Sequence, residues 1–458
     1  MQVFTGSNVL LPSSLKPQPA TIEISKTTGQ ITSIRDHRRT KQDYATLSTE
    51  DFTDVGDLFL LPGLVDAHVH LNEPGRTDWE GFWTGTRAAA SGGVTTVVDM
   101  PLNSIPPTTT VDNLKAKREA ATNKCWTDVA FWGGVIPGNQ ADLMPLVHAG
   151  VKGFKCFMIE SGVDEFPCVA ESDLEPAMEE LENTGSVLLF HAELDESPHT
   201  HDASAIPPDP SLYNTFLASR PQTFEMDAIS PIIKLQKAHP GLRCHIVHLS
   251  AAQALPIIRE ARAAGVKLTV ETCFHYLCLS ADSIPRGRPE FKCCPPIRDE
   301  ANREALWSAL QDGTIDFVVS DHSPCVAELK KVDEGDIMGA WGGISTLGLG
   351  LSLLWTEGKK RGVEIGKLLE WTSTNTAEHA TLNASKGRIA VGYDADFVVW
   401  DPEGQYTVTK ESLNFKNKLT PYEGLTLNGR TEKTILRGRT IFERVSGFSS
   451  AGPMGTLL

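Results

Sequence analysis

The sequence predicts an α/β fold, a (β/α)8 TIM-type barrel with a small β-sandwich domain formed from both termini. Three observations lead there. Apolar, strand-like runs recur through the middle of the chain with helical stretches mostly between them. Both ends read instead as short strands and turns. No Gly-rich nucleotide fingerprint follows the first run, which disfavours a doubly wound open sheet.

At the N-terminus, Thr21-Ile22-Glu23-Ile24 and Gln30-Ile31-Thr32-Ser33-Ile34 flank the turn-like Thr28-Gly29. The C-terminal segment repeats this texture in Asp396-Phe397-Val398-Val399-Trp400, Thr434-Ile435-Leu436 and Thr440-Ile441-Phe442. A sandwich over residues 1–57 and 390–458 would enclose a barrel over 58–389. The apolar runs of the barrel are Leu60–Val69, Val94–Met100, Val129–Ile136, Val151–Met158, Val187–His191, Cys244–Leu249, Val266–Thr272 and Ile315–Ser320. Asp173–Asn183 and Ala251–Ala264 show helical periodicity between them. The Pro-rich stretch Ser197–Pro210, with His199 and His201, reads as a surface loop, with an active-site lid as the alternative.

Composition narrows the class. The chain has 458 residues, 40% hydrophobic and 22% charged, which is ordinary globular material with enough apolar content for a large core. With 42 basic and 58 acidic residues the net charge is −16, which argues against nucleic-acid and anionic-membrane partners. No apolar run is long enough to span a bilayer, Met1–Pro12 lacks a basic n-region, and Gly455-Thr456-Leu457-Leu458 is not a peroxisomal address. The nine cysteines are odd in number and form no paired Cys-x-x-Cys hooks. Free thiols and a cytoplasmic location are the expectation.

The chemistry lies at the ends of the runs. His68 and His70 are two residues apart on a strand and so face the same side. His191, His248 and Asp321 end the fifth, sixth and eighth runs. In a barrel the C-terminal strand ends meet at one mouth, so four imidazoles and a carboxylate would converge there, a donor set suited to zinc or a similar metal. Lys155 sits within an apolar run, where an unpaired ammonium is disfavoured; it either snorkels to the rim or serves the same site. A neutral lysine can add carbon dioxide, and the resulting carbamate could bridge two cations and offset part of their charge.

The run Leu61-Pro62-Gly63-Leu64-Val65-Asp66-Ala67-His68-Val69-His70, with the later lysine, histidines and aspartate, resembles the binuclear amidohydrolase superfamily. Among its cyclic-amide hydrolases the chain is most similar to the allantoinases. The resemblance rests on Asn72-Glu73-Pro74-Gly75-Arg76, Asp99-Met100-Pro101-Leu102-Asn103, Gly153-Phe154-Lys155-Cys156-Phe157, Cys294-Pro295-Pro296-Ile297-Arg298-Asp299, Ser320-Asp321-His322-Ser323-Pro324-Cys325 and Ala340-Trp341-Gly342-Gly343-Ile344. It implies two divalent ions, zinc by preference, one held by His68, His70 and Asp321 and the other by His191 and His248, with carboxylated Lys155 as bridge. It further implies a bridging hydroxide as nucleophile and Asp321 as base and then acid. Substrate contacts would come from Cys294 and Ser323, more weakly from Asn103 and Gly342. The implied substrate is allantoin, hydrolysed to allantoate, and the implied assembly a homo-oligomer, tetramer or dimer.

Departures separate sister enzymes. Dihydroorotases resemble this chain but carry an arginine where Asn72 stands, and dihydropyrimidinases a tyrosine where Glu160 stands. The pocket is thus expected to lack a cation for a substrate carboxylate. A hydantoinase or dihydropyrimidinase is the alternative reading. A metal-free scaffold is disfavoured because every ligand position is filled. His275 is expected to support the pocket, and His322 to face away from it.

Overall fold

The computed structural model describes residues 1–12, 14–195 and 208–458. Its centre is a ring of parallel strands: β1 (Leu64–Val69), β2 (Val94–Asp99), β3 (Asp128–Phe131, resumed after Trp132 as Gly133–Gly134), β4 (Phe154–Phe157), β5 (Val187–His191), β6 (Arg243–Ile246), β7 (Leu268–Cys273) and β8 (Phe317–Val319). Each pairs in parallel with the next. The ring closes where Val69 bridges His322 and the His70 amide donates to the His322 carbonyl at 2.8 Å. The strands are buried along nearly their whole length, as their mainly apolar runs require when helices cover the outside.

Helices such as Val111–Ala121, Glu171–Leu181, Thr223–Ala238 and Glu300–Gln311 return the chain between strands. Two begin at side-chain caps: the Thr110 hydroxyl accepts from the Asn113 amide, and the Asp299 carboxylate accepts from the Asn302 amide. The expected helix at Asp173–Asn183 is present with bounds Glu171–Leu181. That at Ala251–Ala264 begins as a 3-10 turn, Ala252–Ala254, before Leu255–Ala263.

Strands from both ends form one nine-stranded mixed sheet around its own core, which includes Phe4, Ile22, Leu60, Phe397, Val399 and Ile435. The run Leu60–Val69 is two strands, not one. Phe59–Pro62 joins the mixed sheet, antiparallel to Phe397–Trp400, and β1 begins after Gly63. A side chain at Gly63 would meet the Thr95 hydroxyl at 2.2 Å, so the crossing from sheet to barrel leaves no room for one. The two units are also joined by a buried ion cluster. Lys386 Nζ lies 2.5 Å from Asp128, 3.0 Å from Asp394 and 2.7 Å from Asp396, and Arg437 reaches Asp128 at 2.5 Å.

No helix among the described residues is long and apolar enough to cross a membrane. The Pro-rich stretch expected as a loop or lid lies outside the described residues, apart from its end at 208–210.

Candidate active site

At the C-terminal strand ends is a cavity of about 350 Å³. His70, Lys155, His191, His248 and Asp321 line it; His68 lies just beneath, fully buried. The expected substrate contacts Asn103, Cys294, Ser323 and Gly342 line it as well. Strand alternation aims His68 and His70 at the same carboxylate, with their Nε2 atoms 3.2 and 3.5 Å from one Asp321 oxygen. The His191 and His248 rings meet edge to face with centroids 4.6 Å apart, and His191 stacks on Phe157 at 4.4 Å.

Two of these residues end their strands in an unusual conformation. His248 has φ of 39° and Asp321 of 42°, left-handed backbone that costs a non-glycine residue about 1–2 kcal/mol. This local turn is what brings their side chains over the barrel mouth.

Each ligand candidate is held from behind. The Nδ1 of His68 is 2.5 Å from Glu271 Oε1, and His191 Nε2 donates to Glu193 at 2.7 Å. Glu193 in turn accepts from Arg220 at 2.5 Å, and Asn103 Nδ2 donates to His70 Nδ1 at 3.2 Å. Buried His68 Nε2 and His248 Nδ1 have no hydrogen-bond partner among the described residues. A His68 nitrogen, a His70 nitrogen and an Asp321 oxygen lie within 4.8 Å of one another in buried surroundings, a donor group that fits a metal site.

Charge follows burial. Desolvation, with Lys155 nearby, keeps His68 and His191 well below the ordinary imidazole value, so both are neutral and able to donate a lone pair. Burial pushes the Asp321 carboxyl up, but His68, His70 and His248 outweigh it and hold the group well below the usual carboxylate range. Burial lowers Lys155 from 10.5 to about 8, against the pull of Asp321 and Glu271. Its ammonium lies 5.2 Å from the Phe157 ring centre.

One expectation is overturned. The cavity does contain cations, because Arg220, Lys292 and Lys331 line it. Each is already engaged, by Glu193, by the Met338 carbonyl at 2.6 Å and by Asp336 at 3.2 Å. None is signalled by a motif, since all three lie between the strands in sequence. Asn72 is buried off the cavity, and its amide donates to the Pro324 carbonyl at 3.3 Å. Glu160 lines the cavity. The glycine pair shapes the wall beside Cys294 and Ser323: a Cβ at Gly342 would lie 2.9 Å from Cys294 Sγ, and one at Gly343 only 2.1 Å from the Ser323 carbonyl.

His322 points away from the cavity. Its Nδ1 accepts from the Thr346 and Leu347 amides, and its Nε2 pairs with Glu80 at 3.2 Å. The main omissions from the sequence reading are Glu271, Glu193 and Arg220. Glu193 had a signal, since it stands two residues beyond His191, where an extended chain turns it to the same side.

Residues 59–441 match the model of the amidohydrolase family. An allantoinase of Saccharomyces cerevisiae is 47% identical over 463 residues, covering 100% of this chain and 98% of the relative. One from Streptomyces avermitilis is 48% identical over 96% and 95%. Among solved structures, the L-hydantoinase (dihydropyrimidinase) of Arthrobacter aurescens superposes with a TM-score of 0.90 at 27% identity, over 100% of this chain and 99% of that one. With the metal-type constellation at the barrel mouth and this full-length similarity, the chain belongs to the amidohydrolase family, on its allantoinase branch.

Proposed function

We propose that this chain hydrolyses the hydantoin ring of allantoin to allantoate. The observation that carries the reading is the convergence of His70, Lys155, His191, His248 and Asp321 on one cavity, in a chain nearly half identical to allantoinases along its full length. The ligand set proposed is His68, His70 and Asp321 for one divalent ion and His191 and His248 for a second, zinc by preference. When bound, such ions supply Lewis acidity, making water a stronger acid and the amide carbonyl more electrophilic.

The chain's own groups do the rest. Lys155, lowered to about 8, is partly neutral near physiological pH. Its free amine can add carbon dioxide, forming an N–C bond and releasing one proton, and the resulting carbamate would supply an anionic oxygen ligand for the divalent ions. Ionised Asp321 accepts a proton from the attacking water. The water oxygen bonds to the ring carbonyl carbon, the ring C–N bond breaks, and the Asp321 proton passes to the leaving nitrogen. Asn103, Ser323 and the backbone around Cys294 and Gly342 offer donors and acceptors for the polar ring and its ureido arm.

Nine free cysteines support a reducing compartment, the cytoplasm, and we include a homo-oligomeric assembly in the proposal.

A hydantoinase reading is favoured by the superposition alone, at lower identity. Parallel assays with allantoin, hydantoin, dihydrouracil and dihydroorotate on one metal-loaded preparation decide between them. A kcat/KM for allantoin at least about a hundredfold above the others is expected, the scale of a few hydrogen bonds. Equal turnover of hydantoin or dihydrouracil would remove the allantoin assignment and leave the amidohydrolase chemistry standing.

A further inference from the structure

Beside the proposed ligand set is a second group of metal-type donors, two of which the mechanism does not use. A Cys273 sulfur, a His275 ring nitrogen and an Asp321 oxygen lie within 4.8 Å of one another, all in buried residues. Cys273 ends β7, and His275 follows in the first turn of the short helix Phe274–Cys278, so both project behind Asp321. Neither borders the cavity, whereas Asp321 does.

His275 provides the independent sign that something belongs there. It is fully buried, its ring packs edge to face on Tyr276 at 4.2 Å, and both of its nitrogens lack a hydrogen-bond partner among the described residues. Folded proteins rarely leave both faces of such a group unanswered; a water or an ion normally completes it. A thiolate, an imidazole and a carboxylate together select borderline-soft divalent ions over magnesium or calcium.

We propose that Cys273, His275 and Asp321 form a third, inhibitory position for a thiophilic divalent cation. The proposal rests on Asp321 acting as the proton carrier described above. An ion held there takes up the Asp321 carboxylate and leaves the water without its base. Since Cys273 and His275 are fully buried, inhibition should build up slowly and should not be relieved by more substrate.

The test uses cadmium(II) added to the purified protein after its resident metal has been counted. The wild type should take up one more cadmium per chain than Cys273→Ser, with a thiolate-to-cadmium charge-transfer absorption, and lose turnover in step. Cys273→Ser and His275→Gln should keep basal turnover and need at least about tenfold more cadmium for equal inhibition. If Cys273→Ser fails to fold, His275→Gln decides alone. Equal uptake and equal inhibition in wild type and variants would overturn the site. So would a charge-transfer band that vanishes in Cys294→Ser but survives in Cys273→Ser. Uptake and absorption are read without any turnover, so failure of this site and failure of the allantoin reading are separate results.

Discussion

Glu271 is the most informative place to perturb this molecule. It lies in β7, fully buried, with one carboxylate oxygen 2.5 Å from His68 Nδ1 and the other 3.2 Å from His245 Nε2. When His68 donates Nδ1–H to it, the Nε2 lone pair is left facing Asp321 and the proposed metal. Glu271→Gln keeps one acceptor and replaces the other with a donor. The oxygen can stay on His68, because His245 can reverse its tautomer and donate Nδ1–H to the Thr269 hydroxyl 2.8 Å away. Only the negative charge is then lost, and metal retention should weaken about tenfold, the low end for an outer-shell change. Glu271→Leu removes both acceptors. A buried Nδ1–H without a partner costs about 1–3 kcal/mol, which takes the loss towards a hundredfold. Competition with a chelator at equilibrium, on variants whose circular dichroism matches wild type, reads both numbers. A Glu271→Leu protein that held metal as tightly as wild type would refute the assignment of His68 as a carboxylate-oriented ligand.

The other predictions address neighbouring parts of the same machinery. Lys155→Ala should lose metal and nearly all activity, with partial rescue by short carboxylic acids; near-normal turnover without additives would make this lysine a structural residue. Asp321→Asn should lower kcat by about 10²–10⁴ for one acid–base group, and metal analysis of the same sample separates proton transfer from ligand loss. Lys386→Met should cost about 3–5 kcal/mol in denaturant unfolding, because Asp394 and Asp396 lose the cation that faces them. Its pH dependence has a definite sign. Burial lowers Lys386, but Asp396, Asp128 and Asp394 together raise it above 10.5, so its contribution is complete below that value and fades in stronger alkali. Burial raises Asp128, but Lys386 and Arg437 lower it below 3.8, so its share is present above that pH and is lost as acid titrates it. The gap between wild type and Lys386→Met should therefore narrow in acid; a gap unchanged at low pH would contradict the pairing.

Much of the site could be read in advance because it obeys a local rule. His68 and His70 share a strand face, and His191, His248 and Asp321 stand where strands end, so sequence position alone implies direction. The parts that could not be read depend on elements brought together from a distance. Glu271 looks like a stray carboxylate until the ring closes and sets β7 next but one to β1. Arg220 acquires its partner through the fold, since 27 residues separate it from Glu193. The break at Gly63 was hidden for the same reason, because Phe59–Pro62 is turned away from the barrel by partners distant in sequence, Asn8–Val9 and Phe397–Trp400. The expectation of a pocket without cations failed on the same ground, since one missing arginine in a motif says nothing about the loops that complete the wall.

The mixed sheet has a consequence for the order in which this protein can be made. Leu60 is laddered to Val399, and bringing together points about 340 residues apart carries a closure entropy of about 5 kcal/mol for a flexible chain. The barrel's strand–helix–strand units, by contrast, close over short stretches and can condense as they emerge during synthesis. The N-terminal strands Gln2–Val9 and Phe59–Pro62 must then wait, with an apolar edge unpaired, until the last part of the chain arrives. For most of the time on the ribosome, the part made first is the part most exposed to mispairing.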